Sequence, residues 1–279
     1  MSSLQQSVLG KKSQYQLQYD PEQLFSIARQ TKRDEIQVFQ PLPFYGVDIW
    51  NHYEVSWLDA NGKPIVAIAQ IHIDCHSPNI IESKSMKLYF NSFNQMQYAD
   101  QQSIQAVIEQ DLTQRIGSSV QVTIWRLTDN AAPAAVSVNQ LTGSCLDELT
   151  VTCSEYTVNP GFLTSHKEKV AVTETVYSHL LKSNCLVTNQ PDWGSVQISY
   201  QGPQINHAGL LQYIVSFRNH NEFGEHCIER MYMDIMRQCQ PQVLMIAGYY
   251  TRRGGIDINV YRSNQPLQQL IQHQRLYRQ

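Results

Sequence analysis

Hydrophobic and polar positions along the chain fall into short alternating runs separated by stretches with helical spacing. The first clear pattern is "YEVSWLDANGKPIVAIAQIHI", residues 53–73, where two runs flank Asn61-Gly62. Asn-Gly accepts the positive φ angles of a tight turn, so this stretch predicts a β-hairpin. In "SIQAVIEQDLTQRI", residues 103–116, apolar residues at 104, 107, 108 and 112 predict a helix. "VQVTIWRL" then reads as a strand. The second half repeats this order. "SVQISYQG" reads as a strand, "HAGLLQYIVSF" and "EHCIERMYMDIMRQC" as helices, and "VLMIAGYYTRRGGIDINVYR" as a hairpin turning at Arg252 to Gly255. Residues 1–45 are polar and end in "QPLPFYG", which predicts an extended arm with a short helix around Pro21 to Gln30.

The repetition reaches individual residues. "YFNSFNQ" from Tyr89 and "YIVSFRN" from Tyr213 stand 124 positions apart. The same shift lays residues 104–116 on 228–240 and 122–127 on 246–251. Three matches at one offset predict a duplicated hairpin–two-helix–hairpin unit, an antiparallel sheet with helices on one face, of α+β class. The expected division is an arm over 1–45, a first unit over 46–155 and a second over 156–279, the boundary lying in the polar stretch that holds Asn159-Pro160-Gly161.

Composition narrows the partners. A 279-residue chain that is 42% hydrophobic and 10% aromatic can bury a real core. With a net charge of −3 and no long basic run, nucleic acid is not an expected partner. No apolar run approaches a membrane span, and the N-terminus lacks the apolar core of a signal peptide. The expectation is a cytoplasmic protein with reduced thiols and a small-molecule ligand. Cysteines stand at 75, 145, 153, 185, 227 and 239, with no Cys-x-x-Cys pair to suggest a zinc ribbon or redox motif.

Four constellations could carry chemistry. In "SNCLVTNQPDWG", Cys185 lies among hydroxyls and amides and precedes Asp192 by seven positions, just before what reads as a Pro-Asp-Trp turn. A thiol in a wet, shaped setting can act as a nucleophile, and a carboxyl half-buried against Trp193 could donate a proton. The plainer reading is a loop cysteine and a turn aspartate. In "ESKSMKLY", Ser83 or Ser85 could cap a helix whose free amides, with Lys84, gather a phosphate; the plainer reading is an ordinary capped helix start. In "HNEFGEHCIER", Glu222, Glu225, His226 and Cys227 crowd another helix start. A carboxylate there could read the amidine-like edge of a guanine-type base or merely answer the helix dipole, while His226 and Cys227 raise zinc. In "YTRRGGIDIN", arginines beside two glycines allow close approach to a phosphate or form a plain tight turn. No G-x-G-x-x-G follows a strand, so a Rossmann domain is not expected. His179 reads as a structural histidine.

Together, "IESKSMKLYFNSFNQ", "SHLLKSNCLVTNQPDWGSVQI", "SFRNHNEF" and "YTRRGGIDIN" resemble the NADPH-dependent 7-cyano-7-deazaguanine reductases in their long, two-domain form. The likeness runs from about residue 42 to 264. It implies tandem tunnelling-fold (T-fold) domains, a homodimer, and reduction of a nitrile to an amine on the way to the tRNA nucleoside queuosine. It implies that Cys185 is the nucleophile and Asp192 the proton donor. By the same likeness Ile81, Glu82 and Ser83 line the substrate, Ser83, Lys84, Arg253 and Gly254 meet NADPH, and Glu225 pairs with the deazaguanine edge. No metal is expected. Where the family commonly reads His-Glu, this chain reads Gly224-Glu225, so an imidazole role is lost there and a backbone contact from Gly224 remains. The rival readings are a zinc-dependent hydrolase of the GTP-cyclohydrolase kind, with metal held by residues such as Cys185, His226 and Cys227, and a purine-binding module without chemistry.

Overall fold

A computed structural model describes residues 18–128, 138–168, 170–267 and 275–279. The strands are β1 (Ser26–Ala28), β2 (Tyr45–Leu58), β3 (Pro64–Asp74), β4 (Asn79–Ile81), β5 (Val120–Arg126), β6 (Val138–Asn139), β7 (Ser144–Cys145), β8 (Ser165–His166), β9 (Val172–Ser178), β10 (Lys182–Asn184), β11 (Pro191–Gly202), β12 (Gln204–Ile205), β13 (Val243–Arg253), β14 (Ile256–Ser263) and β15 (Arg275–Leu276). The helices are α1 (Gln30–Glu35), α2 (Ser83–Asn91), α3 (Gln101–Ile116), α4 (His207–Ser216) and α5 (Gly224–Cys239). The architecture is α+β. Among the described residues no helix is long and apolar enough to cross a membrane.

The chain forms two compact units, and their bounds differ from the division read off the sequence. The first comprises the described parts of Met1–Thr31, Asp48–Ser137 and Arg252–Ile258; the second comprises those of Lys32–Val47, Val138–Thr251 and Asn259–Gln279. Residues expected in a separate arm are thus shared out between the units. The short helix expected around Pro21 to Gln30 is also different: a single 3-10 turn occupies Pro21–Gln23, and the α-helix starts only at Gln30. Asp20 caps the 3-10 turn through the Glu22 amide, and Ser26–Ala28 leaves it as a strand paired with β4.

In the first unit the strand order is β5-β3-β2, with Ala69 opposite Ile124 and Ile71 opposite Val122. Ile104, Ile108, Leu112 and Ile116 recur every fourth residue of α3 and are wholly buried against this sheet. Each such side chain contributes about 1.5–3 kcal/mol. Asp100 caps the helix at one end, and Gly117, with φ of 78°, closes it at the other. Met86, Tyr89 and Phe90 fix α2 to the same core.

In the second unit β11 lies between β9 and β13, both antiparallel to it, and places Ile198 opposite Val176 and Ile246. Ile228, Met231, Tyr232 and Ile235 form the buried face of α5. Beneath it Glu229 is clamped by Arg33 at 2.7 Å and Arg262 at 2.9 Å, all three side chains buried. Burial works against the carboxylate, but the two guanidiniums hold it well below the usual carboxylate range.

The duplication is local as well as global. Asn206 caps α4 where Glu82, 124 positions earlier, caps α2. Tyr89 donates to Asp111 at 2.6 Å, and Tyr213 donates to Asp234 at 2.7 Å. The Asp20-Pro21 turn recurs as Asn159-Pro160, and the Ser26–Ile81 strand pair recurs as Ser165–Ile205.

Candidate active site

The second unit builds a hairpin around Cys185. Strand β10 pairs with β11 so that Ser183 faces Asp192 and Asn184 faces Pro191. The Cys185 amide donates to the Gln190 carbonyl at 2.8 Å, which extends the ladder by one pair, and the Asn189 amide returns to the Cys185 carbonyl at 3.1 Å. Side chains alternate faces along a strand, so Cys185 and Asp192 lie on one face as diagonal neighbours. Such neighbours are about 7–8 Å apart between backbones, close enough for their side chains to address one small group. The opposite face carries Lys182 and Trp193. Trp193 is 40% exposed and lies under the Arg218 guanidinium, while the Lys182 ammonium donates to the Arg218 carbonyl.

This geometry corrects two expectations. Pro191, Asp192 and Trp193 open a strand rather than form a turn; the chain reverses at residues 186–189, where Asn189 has φ of 56°. Asp192 and the Trp193 indole point to opposite faces because adjacent strand residues always do, so the indole does not bury the carboxyl.

The edge of β10 away from β11 is taken by the segment before α5. The Asn184 amide donates to the His220 carbonyl at 2.8 Å, and the Glu222 amide donates to the Asn184 carbonyl at 3.0 Å. The two motifs "SNC" and "HNEFGE" are therefore laced together by backbone. Of the two acids there, Glu222 is structural. Burial pushes its carboxyl up, but His220 at 2.7 Å and Arg230 at 3.1 Å outweigh that and hold it at about 2. Glu225 lies in the first turn of α5, 2% exposed, one residue after Gly224. Cys227 is buried, and burial pushes its thiol far above the ordinary range. His226 is buried with its ring edge-on to Phe223.

The zinc set of the rival hydrolase, Cys185 with His226 and Cys227, is not among the donor groups that converge in the described residues. In this unit the convergent donors are His220, Glu222 and Cys227, and Glu222 is committed to Arg230.

The first unit assembles the other candidates. Neither serine caps α2; the Glu82 carboxylate does, accepting from the Lys84 amide at 2.7 Å and the Ser85 amide at 2.8 Å. Burial raises its pKa, against the lowering pull of those two amides. Ile81 is buried at the end of β4, and Ser83 is exposed at the first helical position. The turn between β13 and β14 carries Gly254 and Gly255 at φ of 59° and 78°. A Cβ on Gly254 would stand 3.0 Å from Cδ of Lys87, one turn along α2 from Ser83. Arg252 stacks over the Tyr53 ring at 4.0 Å, so Arg253, its strand neighbour, points to the other face. The bare glycine backbone lies beside Lys87, whose ammonium pairs with Glu54 at 3.1 Å. Tyr250 had not been singled out in the sequence; the glycines that pack around its ring were the available signal.

Comparison with known proteins bears on the whole chain. The family model "Nitrile reductase, 7-cyano-7-deazaguanine-reductase N-term" matches residues 15–124, and the model "QueF-like protein" matches residues 191–269. The chain is 54% identical over 275 residues to the NADPH-dependent 7-cyano-7-deazaguanine reductase of Legionella pneumophila (strain Lens), covering 98% of this chain and 95% of the relative. It is 52% identical over 266 residues to that of Cupriavidus pinatubonensis, covering 95% of each. The solved apo structure of the archaeosine synthase QueF-Like aligns with a TM-score of 0.31 and 14% identity, over 36% of this chain and 99% of that one. Identity above one half, sustained from end to end and through both motif-bearing units, places the chain in the NADPH-dependent 7-cyano-7-deazaguanine reductase family.

Proposed function

We propose that the protein reduces the nitrile of 7-cyano-7-deazaguanine to the aminomethyl group, with NADPH, as a step toward queuosine. The observation that carries this reading is the hairpin that sets Cys185 and Asp192 on one face. A nitrile carbon is a poor hydride acceptor. Addition of the Cys185 thiolate forms a C–S bond and converts C≡N into a thioimide C=N, while Asp192 supplies the proton to nitrogen. NADPH, when bound, supplies hydride, two equivalents for each nitrile taken to the amine. After the first, the C–S bond breaks to regenerate the Cys185 thiolate, and the imine that remains takes the second hydride on carbon and a further proton on nitrogen. Glu225 and the Gly224 backbone are assigned to the base in the second unit, and Ile81, Glu82 and Ser83 are assigned to the substrate in the first. Ser83, Lys84, Arg253 and Gly254 hold the dinucleotide. The protein is further read as cytoplasmic, a homodimer of tandem tunnelling-fold domains, with neither nucleic acid nor membrane as a direct partner.

The test is direct. Protein, nitrile and NADPH together should deplete nicotinamide absorbance at two NADPH per amine formed. Protein and nitrile alone should gain the mass of one substrate per active site. Metal-dependent hydrolysis, or tight binding of the base with no turnover, would replace this reading with one of its rivals. Sedimentation of the purified protein tests the dimer.

A further inference from the structure

Tyr250 of β13 lies opposite Gly194 of β11, two residues beyond Asp192. Its ring is packed by glycines. A Cβ on Gly224 would stand 2.6 Å from Cε2, one on Gly194 would stand 3.4 Å from Cδ1, and one on Gly248 would stand 3.7 Å from Cε2. Glycine in a strand interior costs about 0.5–1 kcal/mol relative to alanine, so a ring ordinarily packs on side chains instead. The tightest of these contacts, at Gly224, falls on the residue just before Glu225. The hydroxyl end of the ring lies 3.5 Å from the Gly224 carbonyl and faces Cys227 and Ser183. Ser183 Oγ, wholly buried, closes no hydrogen bond of ordinary length, and its residue is the ladder partner of Asp192. One side chain therefore touches both the strand that carries Asp192 and the turn that carries Glu225.

We propose that Tyr250 is a positioning residue for the nitrile step, its ring fixing the first turn of α5, and with it Glu225, against the hairpin of Cys185 and Asp192. This rests on the function proposed above. Glu225 grips the base and Asp192 serves the nitrile nitrogen, so the ring sets where the nitrile points once the base is bound. Plain core packing would give a different signature: loss of stability with no selective effect on the chemical step.

The experiment measures thioimide formation by rapid-quench mass spectrometry, with nitrile affinity, the KM for NADPH and the thermal midpoint measured alongside. Gly224→Ala inserts a methyl into the ring. A displacement on the order of 1 Å at a reacting centre costs up to ~100-fold in rate, so adduct formation should slow by about 10- to 100-fold. The KM for NADPH should stay within about threefold, because the dinucleotide residues are intact, and the loss of nitrile affinity that follows from moving Gly224 and Glu225 should be smaller than the loss of rate. Tyr250→Leu should show the same split, and Tyr250→Phe, which keeps the ring, should form adduct within about threefold of the wild-type rate. In the double variant Gly224→Ala/Tyr250→Leu the two effects should not add, since the clash has gone. Folded Gly224→Ala protein forming adduct at the wild-type rate overturns the proposal, and this variant decides alone if Tyr250→Leu does not fold. Absence of adduct in the wild-type protein would instead overturn the proposed function.

Discussion

Glu82 and Asn206 occupy equivalent places 124 positions apart in the duplicated pattern: Glu82 caps α2 by accepting from the Lys84 and Ser85 amides, and Asn206 caps α4 by accepting from the Gly209 amide. Asparagine is among the best capping residues, and glutamate is not among the preferred ones. The first unit thus keeps a buried carboxylate where a neutral amide would cap at least as well. Glu82→Asn should therefore retain the thermal midpoint within a few degrees, while nitrile affinity falls at least tenfold and the KM for NADPH hardly moves. Glu82→Leu removes the cap as well and should lose a further 0.5–2 kcal/mol or so by denaturant titration. Equal affinity for the nitrile in Glu82→Asn and wild-type protein would make the carboxylate purely structural.

The hairpin makes its own prediction. Cys185→Ala should still bind the nitrile but form neither adduct nor amine. Cys185→Ser should be nearly inactive, because a hydroxyl ionises far less readily than a thiol near neutral pH. Asp192→Asn keeps the shape without a transferable proton and should slow adduct formation about 10²–10⁴-fold. Intact-mass measurement checks all three, and amine production by Cys185→Ala would end the covalent mechanism.

For the cofactor, Gly254 and Lys87 are in contact, so Gly254→Ala is doubly disfavoured by the positive φ and by the lysine stem. Gly254→Ala, Lys84→Ala and Arg253→Ala should each raise the KM for NADPH several-fold and leave nitrile adduct formation in the absence of NADPH unchanged. Steady-state kinetics alongside adduct mass separates the two. NADH serving as well as NADPH would remove the phosphate role.

Glu229 predicts a stability effect with no catalytic content. Glu229→Leu strands two buried guanidiniums and should destabilise the fold by about 3–5 kcal/mol in urea titration. Converting Arg33 and Arg262 to Met in the same protein should recover most of that loss, since no unpaired charge remains buried. A Glu229→Leu protein as stable as wild type would show that the clamp contributes nothing.

Glu222 predicts a pH dependence. Its folded pKa of about 2 lies below the ordinary value of 4.5, so the stabilisation is complete above pH 4.5 and is lost as pH falls toward 2. The difference corresponds to about 3 kcal/mol. Glu222→Gln should be less stable at pH 7 and show a flatter decline between pH 4.5 and 2, measured as the urea midpoint against pH. An unchanged slope would mean that other carboxylates dominate acid unfolding.

The hydrophobic periods and turn glycines determined α3, α5 and the hairpins around them and made the duplication visible, because α3 and α5 bury faces with a 3.6-residue period and the Asn61-Gly62 and Gly254-Gly255 turns need positive φ, but they misread residues 21–30 and 191–193. The seven-residue spacing of Cys185 and Asp192 was also legible, but its meaning depended on register. A reversal at 186–189 puts the two on one face, whereas a shift of one residue would have separated them. Only the tertiary structure could show that Glu82 rather than a serine caps α2, that Trp193 faces away from Asp192, and that Glu222 is held by Arg230. It alone brings the Tyr250 ring against Gly224 and Gly194, residues 26 and 56 positions away along the chain. Periodicity is a property of neighbours in sequence; packing and charge pairing are properties of neighbours in space, chosen by the fold as a whole.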